Sequence, residues 1–190
     1  MNRSIAIISA FLLLGAARET SAQGFVSPIV AATLNSPTSA DGHGKPGFGM
    51  AFGRMGAVVG AETEIAYFSE FLKNSANGTA KNTALTFSAD ALIGPTMSHV
   101  KPYVALGAGS LILNVTNVAS VVVPTPDSIG NNYFTFNAGG GVMGFFTDHL
   151  GARADLRYTR AFGFNIDEKA GLALKRFDFW RASFGIALKF

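Results

Sequence analysis

The side chains able to do acid–base, nucleophilic or ionic chemistry are few in this sequence. Its 190 residues hold 12 Asp and Glu, 15 Lys and Arg, three His and no Cys. Without a thiol there is no disulfide framework, thiolate metal site, cysteine nucleophile or lipidated cysteine. Hydrolytic chemistry needs a nucleophile, a base and an orienting acid held together. The best local set is Ser39, Asp41 and His43, which fall within one Gly-rich connection and read as a surface loop. His99 and His149 fall in separate short turns, and no spacing suits a metal. Gly139-Gly140-Gly141 lacks the Lys and helix of a phosphate loop and reads as small residues inside a strand. No catalytic, cofactor-binding or metal residue is therefore assigned, and the chain is read as a non-enzyme. A net charge of +3 with no basic cluster gives no reason to expect nucleic acid.

What stands out is a spacing of two. Glu62 and Glu64 are two apart, as are Arg153, Asp155 and Arg157, and Asp90 and Arg181 sit in segments of similar rhythm. Residues two apart share one face of a strand. If these seven face the inside of a narrow barrel, four acids meet three bases away from bulk water. Charges so placed must pair or stay hydrated. A plug of interior ion pairs follows. The functional alternative is a small conductance gated by exchange of pair partners.

The elements that would hold these residues are legible as period-two alternation. Eight segments show it: Phe25–Leu34, Gly47–Met55, Val58–Ser69, Asn82–Gly94, Lys101–Leu113, Asn131–Phe145, Leu150–Phe162 and Phe177–Phe190. The odd-numbered connections are long: Asn35–Pro46, Glu70–Lys81, Asn114–Gly130 and Gly163–Arg176. The even-numbered ones are short: Gly56-Ala57, Pro95–Val100 and Phe146–His149. Strict alternation of long and short is expected of an up-and-down barrel with outer loops and tight periplasmic turns. The mean hydropathy of +0.30 agrees, because only every second residue would need to face lipid.

The last segment is the clearest. Trp180, Ala182, Phe184, Ile186, Leu188 and Phe190 form one apolar face, and Arg181, Ser183, Gly185, Ala187 and Lys189 form the other. Trp180 and Phe190 are ten residues apart, which spans roughly 25 Å along the membrane normal for a strand tilted near 40°. That is the height of an apolar membrane band with an aromatic at each rim. In the seventh segment Ala152, Ala154, Leu156 and Tyr158 oppose Arg153, Asp155, Arg157 and Thr159; in the third, Ala61, Thr63, Ile65 and Tyr67 oppose Glu62, Glu64 and Ala66. The first is weakened by Pro28, and the phase of the fifth is ambiguous. The predicted fold is an all-β, eight-stranded, antiparallel up-and-down transmembrane β-barrel.

The amino-terminal stretch reads as targeting. Arg3 supplies a positive region, Ile5–Ala17 an apolar run too short to span a bilayer as a helix, and Thr20-Ser21-Ala22 a small-residue cleavage site. Cleavage is expected after Ala22, giving a signal peptide over 1–22 and a barrel domain over 23–190.

With these residues in view, the chain resembles the small eight-stranded outer-membrane β-barrel family that includes OmpX-like and opacity-like proteins and the OmpA barrel domain. The resemblance covers the whole mature chain. It is most specific in Gly185, Leu188 and Phe190, which match that class's carboxy-terminal assembly signal. It departs from OmpA in having no periplasmic peptidoglycan-binding domain after Phe190. The resemblance implies a Gram-negative outer-membrane location, outer-membrane lipid as surroundings, and periplasmic chaperones and the barrel assembly machinery as partners during biogenesis. It implies a monomer without cofactors. Two functions stay open: a barrel with a filled polar lumen whose outer loops bind an unknown extracellular ligand, and a narrow gated, porin-like channel. A soluble, lipocalin-like carrier is disfavoured, because the apolar faces of the last strands run outward to aromatic rims.

Overall fold

The computed structural model describes residues 22–34, 46–69, 81–95, 97, 99–116, 129–162 and 177–190. Residues 1–21, where the signal peptide is expected, His43 with its neighbours, and most of each long connection lie outside the described residues. Eight strands are present: β1 Gln23–Leu34, β2 Pro46–Met55, β3 Val59–Ser69, β4 Lys81–Ile93, β5 Val100–Thr116, β6 Ile129–Phe145, β7 Leu150–Phe162 and β8 Phe177–Lys189. Each pairs antiparallel with its sequence neighbours, and β1 pairs with β8 to close the barrel. Closure leaves no sheet edge open within the wall, and the ladders pair each strand with both neighbours apart from a short gap at the closing seam.

The strands follow the expected boundaries within three residues, and the departures have local causes. Val58 belongs to the β2–β3 turn, where its carbonyl accepts the Gly94 amide at 2.8 Å, so Gly94 also drops out of β4. β5 and β6 each run to 17 residues, because their ladder continues to Val115↔Ile129. Backbone pairing there needs no side-chain alternation, which is why periodicity stopped short. Phe190 lies just past β8 yet exchanges two backbone hydrogen bonds with Gly24, at 2.9 and 3.0 Å.

The seam between β1 and β8 shows what Pro28 does. The register holds on both sides of it, but Ser27 and Pro28 have no ladder partner on β8. Proline has no N–H to give. Gly185 lies beside this gap; a Cβ there would come within 2.4 Å of the Pro28 carbonyl oxygen. A larger residue would push the two closing strands apart.

β5 takes the phase that its sequence left ambiguous. Lys101, Tyr103, Ala105, Leu111 and Leu113 are buried in the lumen, while Val104 and Leu106 face outward. Large apolar residues face outward on every strand, including Val30, Phe52, Ile65, Phe87, Val104, Phe136, Leu156 and Phe184. At the rim bearing the long connections, aromatic rings pair across strands: Phe48 with Tyr67 (5.4 Å between centroids), Phe134 with Phe162 (6.4 Å) and Tyr158 with Trp180 (5.4 Å). Such belts sit where a bilayer meets water.

Candidate functional site

The lumen is filled in three layers. Its upper layer, toward the long connections, is apolar: Phe68, Leu111, Leu113, Tyr133 and Phe179 pack with Ala31, Ala66, Ala84 and Ala161. Its lower layer, toward the short turns, is apolar too: Phe25, Met55, Leu92, Tyr103, Met143 and Phe145 with Ala105 and Ala187. Between them lies the ionic layer. Glu62, Glu64, Asp90, Arg153, Asp155, Arg157 and Arg181 all point into it and are all buried.

Strand register explains how they meet. Glu62 and Asp90 are direct neighbours across β3 and β4, and Arg157 and Arg181 across β7 and β8. The acids of β3 and β4 therefore stand on the opposite wall from the bases of β7 and β8. An eight-stranded barrel is narrow enough for side chains to meet across it. Arg153 grips Glu62 with both terminal nitrogens, Nη2 donating to Oε1 at 2.9 Å and Nη1 to Oε2, while its Nε donates to Asp155 Oδ2 at 2.8 Å. Arg157 is the hub. It donates to Glu62 at 2.6 Å, to Asp90 at 2.7 Å and to Asp155 at 3.2 Å, and its Nη1 lies 3.8 Å from Glu64. Arg181 pairs with Glu64 alone. Bidentate and charge-assisted bonds of this kind are the strongest that side chains make.

Neutral groups complete the set. Asp155 also accepts from Ser183 at 2.7 Å and Tyr103 at 3.2 Å, and Asp90 accepts from Ser88 at 2.9 Å. The Arg153 guanidinium lies 5.6 Å from the Tyr103 ring and 6.0 Å from that of Phe25, so the lower apolar layer supports it by cation–π contact. The Arg181 end is less complete: among the described residues, Arg181 Nε and Glu64 Oε2 have no hydrogen-bond partner.

Glycines make the room. A Cβ on Gly107 would fall 1.8 Å from Asp90 Oδ1, one on Gly139 2.7 Å from Arg157 Cα, and one on Gly141 2.6 Å from the Tyr103 hydroxyl. Gly107, Gly139 and Gly141 are the register neighbours of Asp90, Arg157 and Asp155. Small residues on β5 and β6 thus clear space for the long ones on β4 and β7.

Sequence reasoning missed Lys101 and Tyr103, both hidden by the ambiguous phase of β5. Lys101 is buried one step toward the short turns and donates to Gln23 Oε1 at 3.2 Å. Counting it, four bases balance the four acids of the lumen. Their shared parity with Leu111 and Leu113 is the signal that could have placed both.

Of the proposed assembly-signal residues, Gly185 faces the lumen at the closing seam, while Leu188 and Phe190 face outward and are exposed. His99 and His149 sit at exposed turns. Among the described residues no group of three His, Cys, Asp or Glu could hold a metal ion. The arrangement can lock charge in place; it presents no nucleophile beside a base.

A family model described as "Outer membrane protein beta-barrel domain" matches residues 7–190. No curated protein sequence matches the chain. Among solved structures, it is similar to Neisserial surface protein A, with 16% identity over 89% of this chain and 97% of that one and a TM-score of 0.58. It is similar to Ail, the attachment invasion locus protein of Yersinia pestis, solved with the heparin analogue sucrose octasulfate (15% identity, 90% and 99% covered, TM-score 0.56). OprG from Pseudomonas aeruginosa is a third (14% identity, 90% and 96% covered, TM-score 0.57). At these identities the likeness is one of fold.

Proposed function

The chain belongs to the outer membrane β-barrel domain family, and from that premise we propose that it is a closed, non-conducting anchor whose outer loops bind a ligand at the cell surface. One observation carries this reading: a buried layer of ion pairs lies between two apolar layers inside the barrel. An ion crossing the lumen would have to pass two low-dielectric plugs and separate several buried pairs. With the inside filled, the long connections are left as the variable surface, and loops on a rigid scaffold are where binding concentrates. That two of the similar structures are by name a surface protein and an attachment invasion locus protein supports the direction.

The reading includes export to a Gram-negative outer membrane by a signal peptide cleaved after Ala22. It places the long connections outside and the short turns in the periplasm, with Gly185, Leu188 and Phe190 presented to the assembly machinery. A gated channel is the second reading. It is favoured by Arg157, which touches four carboxylates and could exchange one partner for another without being left unpaired.

Planar-bilayer recording on the refolded barrel separates the two. The anchor is expected to show no steady current, and shortening the Asn35–Pro46 and Asn114–Gly130 connections should abolish surface binding while the barrel still folds. Steady current in the parent, altered by Arg157→Ala, would promote the channel.

A further inference from the structure

Two lysines share one aromatic ring at the end of the lumen that bears the short turns. Lys101 Nζ lies 5.8 Å and Lys189 Nζ 5.0 Å from the centroid of the same ring, that of Phe145. Lys101 is only 6% exposed. Among the described residues, no carboxylate lies within ion-pair distance of either lysine; Lys101 has the neutral Gln23 amide as its hydrogen-bond partner. This differs sharply from the layer above, where every guanidinium has an acid.

Bringing two like charges together and burying one of them is unfavourable unless an anion compensates. The barrel wall does not require it, since an apolar residue at position 101 would extend the lower apolar layer. Beside Lys189 lies a cavity of about 240 Å³ lined by Gln23, Asp148, His149, Lys189 and Phe190. We propose that this mouth is an oxyanion site for a phosphate-class group arriving from the periplasm. Lys189 supplies direct charge. Gln23, whose Oε1 is held by the buried Lys101, is left with its amide N–H groups to donate, so Lys101 orients the donor and adds field from behind. Asp148 lines the same cavity as an opposing charge that keeps affinity modest.

Only the side of approach rests on the topology proposed above, and the two claims are tested apart. Inorganic phosphate is titrated calorimetrically into the refolded, mature barrel in detergent at low ionic strength, a measurement indifferent to topology. Saturable binding at one site is expected. Lys189→Met should weaken it about tenfold, the loss of one charge-assisted hydrogen bond, and Asp148→Asn should strengthen it. Lys101→Met should weaken it as well; because that residue is buried, each variant is first shown to fold like the parent by denaturant titration in the same detergent. Absence of saturable binding, or binding indifferent to both Lys189→Met and Asp148→Asn, would overturn the site. The sequence has no cysteine, so Lys189→Cys gives a unique thiol for topology. A membrane-impermeant maleimide should label it only after the outer membrane is broken; labelling on intact cells would reverse the side of approach and leave the calorimetric result standing.

Discussion

The ionic layer and the two apolar layers around it fill the same tube by opposite means. Phe68, Leu111 and Phe179 occupy their space by volume and bury surface that no partner has to match. Glu62, Asp90, Asp155, Arg153 and Arg157 occupy theirs by mutual neutralisation, so each depends on the others. Removing part of an apolar layer leaves a cavity. Removing part of the ionic layer leaves a charge. The second error is larger, because a stranded buried charge cannot relax by repacking. The barrel therefore owes its bulk filling to the apolar layers and its single fixed arrangement to the ionic one.

The most severe test of that difference is Arg157→Ala. It leaves Asp90 without a cation and takes one of two arginines from both Glu62 and Asp155, and is expected to destabilise the barrel by roughly 3–5 kcal/mol. Denaturant titration of the refolded barrel in micelles would measure it. A loss smaller than that of an apolar-layer truncation would remove the contrast.

Phe68→Ala is that truncation. Phe68 is fully buried, and its truncation is expected to cost about 3 kcal/mol. The same titration gives the value, and the ionic layer should survive. Persistence of the Tyr103–Asp155 bond, followed by the tyrosine's ultraviolet absorbance, would report that survival.

Gly139→Val asks whether glycine space is part of the ionic design. The added methyls meet the β7 backbone at Leu156 and Arg157, and overpacking of this kind costs about 1–3 kcal/mol. Gly140→Val, one residue away and outward-facing, meets only a carbonyl oxygen at 3.1 Å and should lose much less. Equal losses would mean that strand flexibility, not lumen space, explains the glycine run.

The smallest effect is expected from replacing a whole pair. Arg181→Met combined with Glu64→Met converts the least saturated end of the ionic layer into an extension of the apolar one. Stability should stay within about 1 kcal/mol of the parent, since a buried pair replaced by apolar groups of like volume is often neutral, whereas Arg181→Ala alone should lose more. A double variant less stable than that single one would show that the ionic layer works as one network beyond its separate pairs.

By itself the sequence determined the number of strands, their order, the long–short rhythm of connections and the inward phase of seven charged residues. The reason is local: alternation has a period of two and needs no partner to be read. It also placed Gly185 at a special position, although not the reason, which is the close approach to Pro28 across the seam. Tertiary structure alone decided who pairs with whom. Arg153 and Glu62 are 91 residues apart, and their meeting depends on register and barrel closure, quantities fixed by all eight ladders at once. Tertiary structure also fixed the phase of β5, where small residues on both faces erase the alternation; Lys101 and Tyr103 became lumen residues only through the register of β5 with β4 and β6. The layering is likewise invisible along the chain. No strand supplies more than three residues to any layer and several supply none, and only their stacking at matched heights turns scattered Phe, Leu, Arg and Glu into two apolar plugs with a charged plate between them.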